Sequence, residues 1–452
     1  MKNRICIVLM IISFAGCSGF WPFDESDHVV RVRGTQLEWN GHPYYFSGTN
    51  FWYGPYLGAP GPRGDRERLR RELDSLCANG IRNLRVLGGS ERSDLAHVVT
   101  PAITRSPGDV DDTLLIGLDF LLAEMGKRKV KAVIFFSNYW EWSGGFTQYL
   151  AWANGTKTFD PNVLGWGPFM DFSASFYSHE KANAYYRDYV RRIVTRTNTV
   201  NGRRYNEDPA IMSWQLANEP RPGTNGPEAV KNLPSFYQWI DSTAGFIKSL
   251  DTLHLVSTGN EGLAGSDQNG DVFLQAHRSP HIDYLTMHLW AYNWGWFDPQ
   301  RPDSTFAVAV ENATEYIQQH LAFARTLGKP LVMEEFGIGR DGGVFDPASS
   351  VSVRDRYYRT IFDLVYDSAR SGAPIAGTNF WAWGGEARAA HPDFWWKPGD
   401  PFMGDPPQEP QGMNAVFMTD STTLSIIRSH AHRMSRLGVE DTLVVTHPHG
   451  SK

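Results

Sequence analysis

Glu219 and Glu335 are the residues whose surroundings point most directly to chemistry. The first closes the stretch Trp214-Gln215-Leu216-Ala217-Asn218-Glu219-Pro220-Arg221, and the second lies in Lys329-Pro330-Leu331-Val332-Met333-Glu334-Glu335-Phe336-Gly337. An apolar run with few charges reads as a strand covered on both faces, and proline or glycine after it ends the ladder. Each acid therefore stands where a buried strand meets a loop. Two carboxyls brought to one rim by different strands suit glycosidic-bond cleavage. One protonates the leaving oxygen, and the other attacks, or activates water at, the anomeric carbon.

Positioning such a pair needs a rigid scaffold, and the chain alternates strand-like and helix-like segments from near Tyr44 to near Leu437. Eight strands are expected: Tyr44–Trp52, Asn83–Leu87, Lys131–Asn138, Ile211–Asn218, Leu255–Thr258, Tyr284–Trp290, Pro330–Glu335 and Gly377–Trp383. Helical patterns intervene at Arg66–Ala78, Thr113–Lys129, Lys181–Thr197, Ser235–Leu250, Val308–Leu327 and Val353–Ser371, the first with Asp65 as N-cap and Gly80 as stop. Alternation of this kind predicts an α/β fold with parallel strands. Eight strands predict a (β/α)8 TIM barrel, a single catalytic domain with long loops at its C-terminal face. A dinucleotide-binding open sheet is disfavoured, because no strand leads into Gly-x-Gly-x-x-Gly and a helix.

In such a barrel the C-terminal strand ends hold the site. Those ends supply Asn50 and Trp52, Arg85, the run Asn138-Tyr139-Trp140, Asn218 and Glu219, His288 and Trp290, Glu335, and Trp381 with Trp383. Singly, a buried arginine satisfies an acid and a strand tryptophan fills a core. Together at one rim they describe a pocket.

The 452 residues fit one decorated barrel, and a net charge of -6 without a long basic run excludes a nucleic-acid partner. The bias is aromatic, with 16 Trp, 18 Tyr and 26 Phe. Most pack a core, and a few are available to stack on sugar rings. Met1-Lys2-Asn3-Arg4 followed by the apolar Ile5–Ala15 reads as an export signal, and Phe14-Ala15-Gly16-Cys17 resembles a bacterial lipobox. The expected division is 1–17 signal peptide, 18–29 tether, 30–438 barrel and 439–452 disordered tail. Lipidation at Cys17 would hold the exported protein on a bacterial membrane, at the outer membrane or cell surface; without it the protein is secreted. Cys77, the thiol then left, is expected as a small core residue on its helix.

The quoted strand ends, with Leu84-Arg85-Val86-Leu87-Gly88-Gly89 and Asn379-Phe380-Trp381-Ala382-Trp383-Gly384-Gly385, resemble glycoside hydrolase family 5, most closely its endo-β-1,4-mannanase branch. Ser137-Asn138-Tyr139-Trp140 with Gly144-Gly145, and Met287-His288-Leu289-Trp290 with Asn293-Trp294-Gly295-Trp296, extend the resemblance over about Val30 to Leu437. It implies retaining hydrolysis through a covalent glycosyl-enzyme, with Glu219 as acid/base and Glu335 as nucleophile. It also implies that Arg85 holds the nucleophile ionised, that Asn218 binds the substrate 2-hydroxyl, and that His288 stands close by. Trp381 would floor the reacting-sugar subsite, Arg221 would contact the leaving side, and Trp52, Asn138 and Trp140 would complete the binding site. Trp290 stands where the family often has a tyrosine, so its indole N–H would either serve the nucleophile or line the sugar site.

Glu334, adjacent to Glu335 on a strand, is expected to face away as a buried ion-pair partner. Glu141, Glu261 and Glu386 are expected as loop or supporting residues. No metal and no cofactor are expected, since His277, His281 and His288 lack tight ligand spacing. The substrate expected is mannan, glucomannan, galactomannan or manno-oligosaccharide, cut internally by a monomeric enzyme. The alternatives are an exo-acting β-mannosidase, a β-1,4-glucanase, or a non-catalytic glycan-binding lipoprotein. Cleft shape separates endo from exo action, and the segments Leu150–Tyr177 and Ala387–Gln411 are the ones that either wall the groove or extend it.

Overall fold

Continuous burial is what makes the strand segments strands: in the computed structural model, which describes residues 28–444, every residue of the eight barrel strands is buried. These are β1 (Phe46–Asn50), β2 (Asn83–Leu87), β3 (Lys131–Phe135), β4 (Ile211–Gln215), β5 (Leu255–Ser257), β6 (Leu285–Leu289), β7 (Leu331–Phe336) and β8 (Ile375–Phe380). They form one parallel sheet in the order β5-β4-β3-β2-β1-β8-β7-β6. The two edges meet through Asp283 N–H donating to Val256 O at 2.8 Å and His288 N–H donating to Glu261 O at 3.0 Å. The result is a (β/α)8 barrel.

Strands end earlier than their apolar runs. The ladder of β3 stops at Phe135 and that of β4 at Gln215; beyond them Phe136 N–H still donates to Gln215 O at 3.2 Å, and the two segments pair once more at an Asn138–Asn218 bridge. Residues 136–138 and 216–219 are thus free to turn their side chains into the mouth. Among the helices, Arg66–Ala78 has the expected limits, with Asp65 Oδ1 accepting from Arg68 N–H at 2.9 Å, and Leu69, Leu73 and Leu76 turned inward. Cys77 on this helix is half-buried against the core. The helix Pro227–Leu250 starts well before the expected Ser235, because Pro234 is accommodated inside it; Pro227 is at its first turn.

Below the barrel, an antiparallel meander (Arg31–Arg33, Gln36–Trp39, His42–Pro43) seals the N-terminal end. Its Leu37 and the preceding Val30 pack with Phe46, Val133, Met212, Tyr284 and Val332. The open end is therefore the C-terminal one. The last helix, Ser421–Val444, runs past the expected domain end at 438, and the domain begins before the expected 30, with Val29 buried and His28 O accepting from Lys131 Nζ at 2.8 Å. Residues 1–27, which hold the expected signal peptide and most of the expected tether, and residues 445–452 lie outside the described residues.

Candidate active site

At the open end, β7 and the loop after β4 bring Glu335 and Glu219 together. An oxygen of each and a ring nitrogen of His288 all lie within 4.8 Å of one another. His288 Nδ1 is 2.5 Å from Glu219 Oε1 and 3.3 Å from Glu335 Oε2. Burial, then the nearby Arg85, drives the His288 pKa well below its ordinary value. The neutral ring therefore presents Nδ1–H to both carboxyls. Glu219 also accepts from Trp140 Nε1–H at 2.5 Å, and its backbone is left-handed at φ 51°. Such a conformation is uncommon for a side-chain-bearing residue and is found where a site demands it.

Arg85 on β2 is fully buried and organises the floor. Its guanidinium donates to Glu335 Oε1 at 2.5 Å, Asn218 Oδ1 at 2.7 Å, Gln215 Oε1 at 2.7 Å and Asn50 Oδ1 at 3.2 Å. Burial raises the Glu335 pKa well above the usual carboxylate range, Arg85 opposes this, and Glu219 adds to it. Of the two, only Glu335 receives the guanidinium, which favours its charged form.

Glu334 is the buried ion-pair partner expected, but the alternation that would turn it to the opposite face does not hold. In the β6–β7 pairing Met287 opposes Met333 while His288 opposes Glu335, a bulge that leaves Glu334 unpaired. Glu334 instead points into the barrel, accepting from Gln215 Nε2 at 2.6 Å, with Arg85 Nε 3.7 Å away. Glu335 alone of the two lines the pocket.

A pocket of about 580 Å³ opens above the pair. Of the expected binding residues, Trp140, Asn218, Arg221, Trp290 and Trp381 line it. Arg85, His288 and Asn138 lie beneath its wall: Asn138 Oδ1 accepts from Trp140 N–H at 3.0 Å and Asn218 Nδ2 at 3.1 Å, so it positions two residues that do line it. Trp52 is not a binding residue. It is fully buried between Trp142 and Phe402, and its indole N–H donates to Gly404 O at 2.8 Å. Trp290 makes no hydrogen bond to Glu335; it stands edge-on to Trp381. Gly144 and Gly145 serve the turn after Trp140, both at positive φ, with a Cβ on either falling 2.2 to 2.4 Å from backbone oxygen.

The pocket has two flanks. Around Glu219 stand Trp140 and Arg221, whose guanidinium lies 4.8 Å over the Trp140 ring and donates to Glu261 Oε1 at 2.5 Å, with Trp166 beyond. Around Trp381 stand Trp142 and Glu409, with Trp395 and His97 also in the wall. Glu141 and Glu261, expected as supporting residues, both line the pocket, whereas Glu386 pairs with Arg71 at the exposed surface. Burial pushes Glu141 and Glu261 up to about 7, Arg221 opposing this at Glu261. Trp395, Gln408 and Glu409 fall in Ala387–Gln411, a segment expected to wall or extend the groove, but they were not foreseen individually, since no strand end flags them.

Glu91 ties the loop after β2 to that after β3, accepting from Ser137 Oγ at 3.0 Å and Gly145 N–H at 2.8 Å. Fully buried, it is pushed by desolvation up to about 7. A carboxyl raised in the folded state contributes stability that is complete below its unfolded pKa and lost as pH rises through the folded value. Between pH 4.5 and about 7 this group costs roughly 2–3 kcal/mol. Glu91→Gln is expected to flatten the fall in thermal midpoint between pH 5 and pH 8; an unchanged profile by calorimetry would refute this.

Residues 27–438 match the family model described as GH family 5 beta-mannosidase-like. The chain belongs to glycoside hydrolase family 5. This family 5 hydrolase is 35% identical to a glycoside hydrolase family 5 mannosidase from Rhizomucor miehei, whose crystal structure aligns with a TM-score of 0.83 over 92% of this chain and 99% of that one. It is 30% identical to mannan endo-1,4-beta-mannosidase 5 of Solanum lycopersicum over 83% of this chain and 87% of the relative. It is 29% identical to putative mannan endo-1,4-beta-mannosidase 4 of Arabidopsis thaliana, covering 97% and 99%.

Proposed function

We propose that this hydrolase cleaves β-1,4-mannosidic bonds with retention, Glu335 attacking the anomeric carbon and Glu219 protonating the leaving oxygen. The observation that carries the reading is the spacing of the two carboxyls, with oxygens within 4.8 Å. Retaining pairs stand about 5–5.5 Å apart, and inverting pairs leave about 6.5–9.5 Å for a water. The Arg85 guanidinium, which donates to Glu335 and opposes its protonation, suits the nucleophile, and the Trp140 and His288 contacts aim Glu219. Once the mannosyl-enzyme forms, ionised Glu219 accepts a proton from water as that water attacks. Relatives named as mannosidases and mannan endo-1,4-beta-mannosidases support mannose as the sugar.

Between internal and terminal cutting, the pocket favours the terminal one. The leaving group lies on the Glu219 flank, so the sugar under attack and anything preceding it lie on the Trp381 flank. There Trp395, Gln408 and Glu409 stand in the wall, and His97 packs on Trp395 at 4.8 Å between ring centroids. An endo-mannanase needs a groove that continues past this point. Mannopentaose is expected to yield mannose as first product, with no release from cellulose oligomers. Mannobiose and mannotriose as first products, with rapid loss of galactomannan viscosity, would restore the endo reading.

We also propose that Cys17 carries a lipid anchor, on the strength of the basic start and the apolar Ile5–Ala15. Among the described residues no helix is long and apolar enough to cross a membrane. Cys17→Ala is expected to move the protein from the membrane to the soluble fraction; unchanged fractionation would refute the anchor.

A further inference from the structure

We infer that Glu409 reads the non-reducing end of the substrate, its carboxyl hydrogen-bonding hydroxyls of a terminal mannosyl unit seated on Trp381. This rests on the terminal-cutting reading above. Glu409 and its neighbour Gln408 line the pocket on the flank opposite the leaving group. Glu409 Oε2, Gln408 Oε1 and Trp381 Nε1 are buried and make no well-formed hydrogen bond in the protein; the Trp381 indole and the Asn414 side chain face the Glu409 carboxyl without closing one. Buried polar atoms are almost always paired, and here the groups that would pair with them belong to the ligand. A carboxyl beside an indole, with a second buried oxygen from Gln408 in the same pocket, matches a sugar, which offers an apolar face to the ring and hydroxyls at its rim.

The loop that carries Glu409 is held in place rather than free to swing. Asp405 accepts from Gly412 N–H at 2.7 Å and Asn414 N–H at 2.8 Å. Gln411 donates from its side chain to Asp405 O at 2.9 Å and from its backbone to Phe394 O at 2.7 Å. Glu409 N–H itself donates to Pro406 O at 2.9 Å. His97 and Phe394, on either side of the contact between the two loops, are left-handed at φ 59° and 61°. Residues kept in this region outside glycine mark places where the fold over-determines the backbone. A wall fixed in advance gains affinity by ordering nothing on binding.

Burial, then the charge of Asp405, pushes the Glu409 carboxyl up to about 8, with Trp381 and Asn414 pulling down. The shift favours the protonated form, with an O–H to donate and oxygen lone pairs to accept. That combination suits a hydroxyl, whereas a second sugar linked at that position would leave the carboxyl buried and unpaired.

The test needs no variant to begin. Wild-type kcat/KM is measured on p-nitrophenyl β-mannoside and on its 3-deoxy, 4-deoxy and 6-deoxy forms. Removing a contacted hydroxyl is expected to cost about 10- to 100-fold. Glu409→Ala is then expected to lose a similar factor on the parent mannoside and to become indifferent to that same deletion. Glu409→Gln, which keeps a donor and an acceptor, should stay within about tenfold of wild type. Wild-type indifference to all three deletions would overturn the assignment, as would an alanine variant that still discriminates. If wild type instead releases internal fragments from mannopentaose, the terminal-cutting reading fails and this inference with it. Release of mannose combined with indifference to the deletions sinks the role of Glu409 alone.

Discussion

Glu335→Ala is expected to lower kcat on p-nitrophenyl β-mannoside by at least about 10⁴-fold, the scale on which removing a covalent nucleophile acts. The protein should remain folded, because Arg85 keeps Glu334, Gln215, Asn218 and Asn50 as partners. Azide discriminates the two acids. Without Glu335 it enters on the face the nucleophile has left, giving the α-mannosyl azide. In Glu219→Ala the mannosyl-enzyme still forms from an activated substrate, and azide then displaces Glu335 from the other face to give the β-azide. Residual hydrolysis above about a hundredth of wild type in the Glu335 variant would contradict its role. Exchange of the two azide products would reverse the assignment of the pair.

Arg85→Met should damage stability and catalysis together. Arg85 is fully buried, and its five N–H groups are spread over four side chains. Breaking a buried pair by removing one partner costs about 3–5 kcal/mol, since the remaining charge has nowhere to go. Here two carboxyls, Glu334 and Glu335, would lose their only close guanidinium among the described residues. The nucleophile would then hold its proton at neutral pH, and kcat/KM should fall at least about 10³-fold. Lysine should not rescue, because a single ammonium cannot reproduce the fork that meets Glu335, Asn218 and Gln215 at once. Denaturant midpoints and kcat/KM for the Met and Lys variants check both parts. A Met variant of near-normal stability and rate would show that the ion pair is ornamental.

These arguments show what the sequence could and could not express. The barrel was legible because short runs with few charges alternate with helical patterns. Glu219, Glu335 and Trp381 were legible because they stand at or just past the ends of such runs, whereas Arg85 and His288 lie inside β2 and β6 and were singled out by the family resemblance. Strand length was not: the regular ladders of β3 and β4 stop before the runs do, and the rim continues in irregular backbone hydrogen bonds such as Asn218 N–H to Ser137 O and Glu219 N–H to Gly259 O. Glu334 was misread because period-two alternation assumes a regular ladder, and the bulge opposite His288 breaks it. Trp52 follows a strand end like the others, and only three-dimensional packing shows that Trp142 and Phe402 cover it. Glu409 was out of reach for another reason. Its loop has no periodicity, and its place beside Trp381 depends on hydrogen bonds gathered by Asp405.

The central claim is that Glu335 forms a bond to the sugar. The direct measurement is to incubate the enzyme with 2-deoxy-2-fluoro-β-mannosyl fluoride, digest it and map the adduct by mass spectrometry. One 2-fluoromannosyl unit on Glu335, with activity lost in step, is the expected result. A label on Glu219 or Glu409, or no adduct from an enzyme whose first mannose product by proton NMR is the α-anomer, would contradict it.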